Sequence, residues 1–219
     1  MFTQLTKVIE LLLSEEEEAI LESISLVENP AVEIDFLYFD GVKKMKFKIE
    51  DEDERIIVGV AMLPEMRIPR VDKETGEVYA VYFSKETVAK AAELFLKLDK
   101  ASKQNTDHLD NFTKDLYLME SWIREFKEDK CVGFGFESVP IGTWLVKMRV
   151  LSDEIWAQVK DGTFKGLSVQ GDFVLKEPHY ESIEFSRFDY KHIYDGLETD
   201  KEKAQMDQII RLLIIDGKK

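Results

Sequence analysis

An α+β fold, built around a mostly antiparallel sheet or barrel with helices between its strands, is what this sequence predicts. Three observations carry the prediction. Strand-like segments dominate residues 55–176, only two helical segments interrupt them, and one strand alternates apolar and charged residues with a period of two. That alternation belongs to an antiparallel strand with one face solvated, and strands with a few interspersed helices make a layered α+β core.

Residues 1–28 read as an acidic helical arm: Val8, Ile9, Leu11, Leu12 and Leu13 supply apolar surface, and Glu15 to Glu18 form a charge run. Such a run is ordinarily a solvated face. Asn29-Pro30 breaks the chain before a short extended stretch from Ile34 to Phe39. Ile56 to Leu63 is β-branched and nearly continuous in apolar residues, the pattern of a strand buried on both faces. Pro64, Pro69 and Gly76 punctuate a loop, and Val78 to Phe83 forms the next strand. Ser84 is placed to cap a helix through Leu98, with Val88, Ala91, Ala92 and Phe95 on one face.

A polar segment containing His108 precedes a strand from Leu116 to Ile123, and a charged loop follows over Glu125 to Gly142. In the strand from Thr143 to Val150, Trp144, Val146, Met148 and Val150 alternate with Leu145, Lys147 and Arg149. Ser152 or Asp153 caps a second helix, carrying Ile155, Trp156 and Val159 and closed by Gly162. Leu167 to Leu175 reads as the last core strand. The division is thus an arm (1–28), a central domain (29–176) and an extension (177–219). The extension ends in an amphipathic helix from about Thr199, with Met206, Ile209, Ile210 and Leu213 as its apolar stripe.

Composition narrows the functions. A formal charge of −14 opposes binding to phosphate backbones, so nucleic acid is not an expected partner. The lone Cys131 excludes an internal disulfide or a cysteine-based zinc cluster and suits a reducing cytosol. No apolar run reaches the length of a membrane span, which sets aside a membrane partner. No phosphate loop, nucleotide fingerprint, Gly-x-Ser-x-Gly elbow or His-Glu-x-x-His helix occurs, and no cofactor or metal is expected.

Chemistry is then sought among few residues. The chain has three histidines, His108, His179 and His192. A histidine in a polar loop, as His108 is, most often sits idle at the surface. Ser168 lies between Gly166 and Gly171, which leave room for a substrate backbone and for amides that serve as an oxyanion hole. Its bland reading is a solvent-facing serine in a strand, because a hydroxyl needs an adjacent base to become a nucleophile. His108 is the candidate base, with Lys165 second. Glu120 shares the alternating face of Leu116, Leu118 and Trp122, where a carboxylate needs a partner. That partner is either a histidine that it orients, or Lys147 or Arg149 in a structural ion pair.

Taken together and in order, several segments resemble the prohead proteases of tailed phages, in their phage serine protease branch. They are Ser25 to Ala31, Val58 to Glu65, Tyr82 to Thr87, Asn105 to His108, Glu120 to Ile123, Pro140-x-Gly142-Thr143-Trp144, and Gly162-x-x-Lys165-Gly166-x-Ser168-Val169-x-Gly171. The resemblance spans residues 23–175. That family is similar in fold to the herpesvirus assemblins, a distorted and mostly antiparallel β-barrel surrounded by helices.

The resemblance implies a serine endopeptidase of capsid maturation, with Ser168 as nucleophile and His108 as base, and makes residues 29–176 the protease domain. It implies the phage scaffold, the major capsid protein and the protease itself as substrates, cut inside the assembling procapsid in the host cytoplasm. Self-association into a homo-oligomer is compatible with it. Glu120 is taken as the third catalytic member, with His192, Asp189 and His179 as competitors. Gln170 stands where an acid is commoner in the family. A catalytically silent head-assembly protein of the same fold is the alternative reading.

Overall fold

The structure is a computed structural model of the chain and describes residues 2–13, 21–27, 47–72, 75, 77–102, 104–106, 114–164 and 166–185. Within these residues the chain is rich in strands, with two α-helices and one 3-10 helix.

The first sheet carries the core. Its order is β3 (Lys48–Asp51), β4 (Ile56–Met62), β9 (Trp144–Val150) and β8 (Leu116–Ile123), antiparallel throughout. β4 is buried on both faces, as its continuous apolar run requires. One face of the sheet presents Ile57, Leu116, Trp144, Val146, Met148 and Val150 to the main core. The other presents Val58, Val60 and Leu145 to a smaller cluster with Cys131, Phe136 and Val139. That second cluster explains why Leu145 is buried although it alternates out of phase with the main core face. The loop over residues 125–142 folds back through the 3-10 helix (Lys130–Phe134) and covers it.

Both helices begin where their caps place them. In α1 (Lys85–Lys97), Ser84 Oγ accepts the Thr87 N–H at 3.3 Å, and Val88, Ala91, Ala92 and Phe95 form the buried face. Phe95 meets Trp144 edge to face, centroids 5.4 Å apart. In α2 (Asp153–Asp161), Ser152 Oγ accepts the Ile155 N–H at 3.2 Å, and Gly162 closes the helix with φ 81°.

The second sheet overturns the helical arm. β1 (Phe2–Leu13) is a twelve-residue strand between β6 (Val78–Tyr82) on one side and β11 (Phe173–Leu175) and β12 (His179–Phe185) on the other. β5 (Ile68–Val71) completes the sheet beyond β6. Val8 and Ile9 are both buried, one on each face. A dense apolar run cannot by itself distinguish a helix from a strand buried on both faces, and here long-range pairing decides. The loop read around Pro69 contains β5, where proline is tolerated because the strand is at an edge.

The third sheet is β10 (Gly166–Gln170), β2 (Ser23–Val27) and β7 (Asn105–Thr106). All five residues of β2 are buried, so this part of the expected arm is also strand. The segment Leu167 to Leu175 is two strands rather than one. The chain breaks at Gly171-Asp172, and β10 pairs with β2 while β11 pairs with β1. The β1–β6 and β2–β7 pairs are parallel and the others antiparallel. Among the described residues these sheets stay open and do not close into a barrel. The start of the extension joins the body through β12, whereas the helix expected from Thr199 and the stretch Ile34 to Phe39 lie outside the described residues. No helix among the described residues is long and apolar enough to cross a membrane.

Candidate active site around Ser168

Ser168 stands where the three sheets of the described residues meet. Leu167, beside it, is buried against β4, where Gly59 leaves just enough room. A Cβ on Gly59 would lie 2.8 Å from Leu167 Cδ1 and 3.1 Å from Phe47 Cβ. The glycine therefore sets how closely β10 approaches the core sheet. A β-bulge at Ala61 in β4 turns the strand end beside this contact.

The backbone of β10 has one free side among the described strands, because only β2 pairs with it. The Gln170 carbonyl accepts the Glu22 N–H at 2.9 Å and so points towards β2. Backbone groups alternate along a strand, so Ser168 turns its N–H and C=O the same way. Leu167 and Val169 turn theirs to the edge that no described strand pairs.

A cleft of about 190 Å³ opens beside Ser168. Its lining is apolar: Met62, Met66, Ile68, Phe83 and Phe173 are among the side chains, contributed by strands of different sheets and the loop after β4. Phe83 and Phe173 brace each other edge to face at 4.9 Å between centroids. Arg70, on β5, is the charged residue of the lining. Neither Arg70 nor the contribution of β1 was anticipated. Ile68 and Arg70 do alternate around Pro69, but the proline made the segment read as a loop.

The expected base, His108, lies outside the described residues. The strand leading to it is described. In register, Ser168 faces Ser25 of β2, which faces Asn105 of β7; Leu167, Leu26 and Thr106 form the next row. Thr106 is thus two strand spacings, about 10 Å, from β10 and two residues before His108 in sequence. Buried Gln104 fastens this segment, accepting the Ile24 N–H at 2.9 Å and donating to the Lys100 carbonyl at 2.8 Å.

Glu120 does not share the face expected for it. Leu118 pairs with Met148 and Glu120 with Lys147, which leaves Met119 as an extra residue in β8. The bulge reverses the alternation, so Ser121 and Ile123 continue the face of Leu116 and Leu118. Glu120 and Trp122 move to the face of Lys147 and Leu145, away from the main core into which Leu167 packs. There the Glu120 carboxylate pairs with Lys130 and lies 3.7 Å from Lys147 Nζ. Lys130 also lies 4.0 Å from the centroid of the Trp122 ring. Of the two readings open for Glu120, this geometry favours the structural ion pair.

His179, on β12, is half exposed and its Nε2 meets Glu181 Oε1 at 2.7 Å. His192, Asp189 and Lys165 lie outside the described residues. Cys131 is no rival nucleophile: burial pushes its thiol up to about 11, so it stays protonated at neutral pH. No group of His, Cys, Asp and Glu among the described residues is arranged to hold a metal ion.

A family model described as "Putative phage serine protease XkdF" matches residues 43–175, more than half of the chain. The chain belongs to that family. No curated protein and no solved structure matches it. The phage serine protease match covers His108, Glu120 and Ser168, and it begins later than the resemblance over residues 23–175 suggested. β1, β2 and β12 fall outside it, although β1 and β2 pair with elements within it and β12 pairs with β1.

Proposed function

We propose that this phage serine protease is an endopeptidase of head maturation in which Ser168 is the nucleophile and His108 its base. The observation that carries the reading is the placement of Ser168. Its strand borders an apolar cleft and leaves the backbone groups of its two neighbours unpaired by any described strand. An extended peptide laid along that edge brings a carbonyl to the hydroxyl and an apolar side chain to the cleft.

In the reaction, His108 takes the proton of Ser168 Oγ as the oxygen attacks the peptide carbonyl. The outward Val169 N–H, or Arg70, meets the negative charge that develops on the carbonyl oxygen. The imidazolium returns the proton to the leaving amine, and water attacks the acyl-enzyme by the same route. Glu120, engaged by Lys130 and Lys147, acts in this reading as a structural pair. The group that orients His108 then comes from the segment after Ser168, with His192 and Asp189 as candidates beside His179. The substrates are those of the prohead role: scaffold, capsid protein and the protease itself within the procapsid.

A fluorophosphonate probe tests the assignment. It should label the full chain at Ser168 and fail on Ser168→Ala and His108→Ala variants with unchanged circular dichroism. Absence of labelling in the wild type would favour a catalytically silent head-assembly protein.

A further inference from the structure

The cleft beside Ser168 has a wall fastened from outside the matched family region. Met66 and Ile68 line the cleft, and Arg67 lies between them in the chain. Arg67 forms two parallel hydrogen bonds to Glu181 of β12, Nε to Oε2 and Nη2 to Oε1, each 2.9 Å. Its third nitrogen, Nη1, donates to the Glu65 carbonyl at 2.9 Å, and its guanidinium stacks 4.0 Å from the centroid of the Tyr82 ring.

The turn carrying Arg67 is tied to the cleft at a second point, where the Glu65 N–H donates to the Phe83 carbonyl at 2.7 Å. Glu65 itself has φ 61°, a conformation that a non-glycine residue keeps only when its surroundings hold it there. A bidentate guanidinium–carboxylate pair sets both distance and orientation, as a single surface contact does not. On the far side, Lys176 anchors the turn between β11 and β12 to β1, its Nζ 2.8 Å from Glu10 Oε2 and its N–H 3.0 Å from the Glu10 carbonyl.

We infer that Arg67 and Glu181 are positioning residues, through which β12 sets the cleft wall formed by Met66 and Ile68 and hence the size of apolar group accepted beside Ser168. The inference rests on the proposed role of Ser168 for its functional part. Its structural part, the dependence of the wall on the clamp, stands apart from any chemistry. Glu181 has a second partner in His179 at 2.7 Å, which braces the carboxylate without replacing the guanidinium.

Two measurements on the full chain separate these parts. Methyl-labelled methionine NMR reads the wall directly: Glu181→Gln and Arg67→Ala should move the Met66 signal while Met148, deep in the main core, stays in place. The charge-swapped pair Arg67→Glu with Glu181→Arg should restore it. Hydrolysis of p-nitrophenyl esters of increasing acyl length reads the function: the wild type should favour one length, and Glu181→Gln should flatten that preference at least fivefold. An unmoved Met66 in both folded single variants would overturn the inference. So would an unchanged acyl preference. No ester hydrolysis by the wild type, with Met66 moving as expected, would instead sink the proposed role of Ser168.

Discussion

Gly59 and Leu167 lie so close that any side chain on the first would collide with the second: a methyl carbon would stand 2.8 Å from Leu167 Cδ1. Leu167 precedes Ser168, so this contact transmits the shape of the core sheet to Ser168. Gly59→Ala should push β10 outward or distort it. Overpacking of this kind costs about 1–3 kcal/mol. The expected outcome is a lowered melting temperature with a larger loss in probe labelling of Ser168, measured on the folded variant at low temperature. Unchanged labelling would show that β10 does not depend on this contact.

Removal of the proposed nucleophile or of its proposed base should abolish turnover almost completely. Ser168→Ala and His108→Ala are expected to lower turnover on the order of 10⁴-fold or more, since members of such a unit act together. Ser168 is half buried and the substitution removes a single hydroxyl, so Ser168→Ala should melt near the wild-type temperature. Cleavage of scaffold or capsid protein followed by gel and mass spectrometry checks both variants.

Glu120→Gln separates the two readings of that residue. As a partly exposed pair with Lys130 and Lys147, it should cost about 0–1 kcal/mol of stability and leave turnover within about twofold. A collapse of turnover without unfolding would restore Glu120 to the catalytic group. Single-turnover rates beside thermal melts distinguish these outcomes, and His192→Ala and Asp189→Asn belong in the same series.

Acid should loosen the clamp on the cleft wall. Hydrogen bonds from Arg67 hold the Glu181 carboxyl down at about 2, from an ordinary value of 4.5, against the opposing effect of burial. A depressed carboxylate contributes stability that is present above the unfolded value and lost as pH falls through the folded one. The contribution of Glu181 should thus fade between about pH 4.5 and 2. Melting of the wild type and of Glu181→Gln, compared from pH 6 downward, should converge over that range. A constant gap between the two curves would contradict this assignment.

Several elements were legible in the chain itself. Ser84 and Ser152 cap α1 and α2, Gly162 closes α2, and the alternation from Trp144 to Val150 marks β9. Caps depend on contacts within a turn or so, and strand alternation on the pleat, so a sequence window contains them. The ordered segments leading to Ser168 also pointed to the phage serine protease family, which the match over residues 43–175 establishes.

What only the tertiary structure decided involves partners distant in sequence. The run at Val8 to Leu13 is a strand because β6 and β11, some seventy and a hundred and sixty residues away, take up its backbone groups. The phase of Glu120 reverses because β9 holds β8 in a register that leaves Met119 over, and a one-residue slip sends every later side chain to the other face. The cleft beside Ser168 draws on β1, β4, β5, β10 and β11 together. Its shape arises where three sheets meet, and no local pattern encodes a surface made by segments that first touch when the chain has folded.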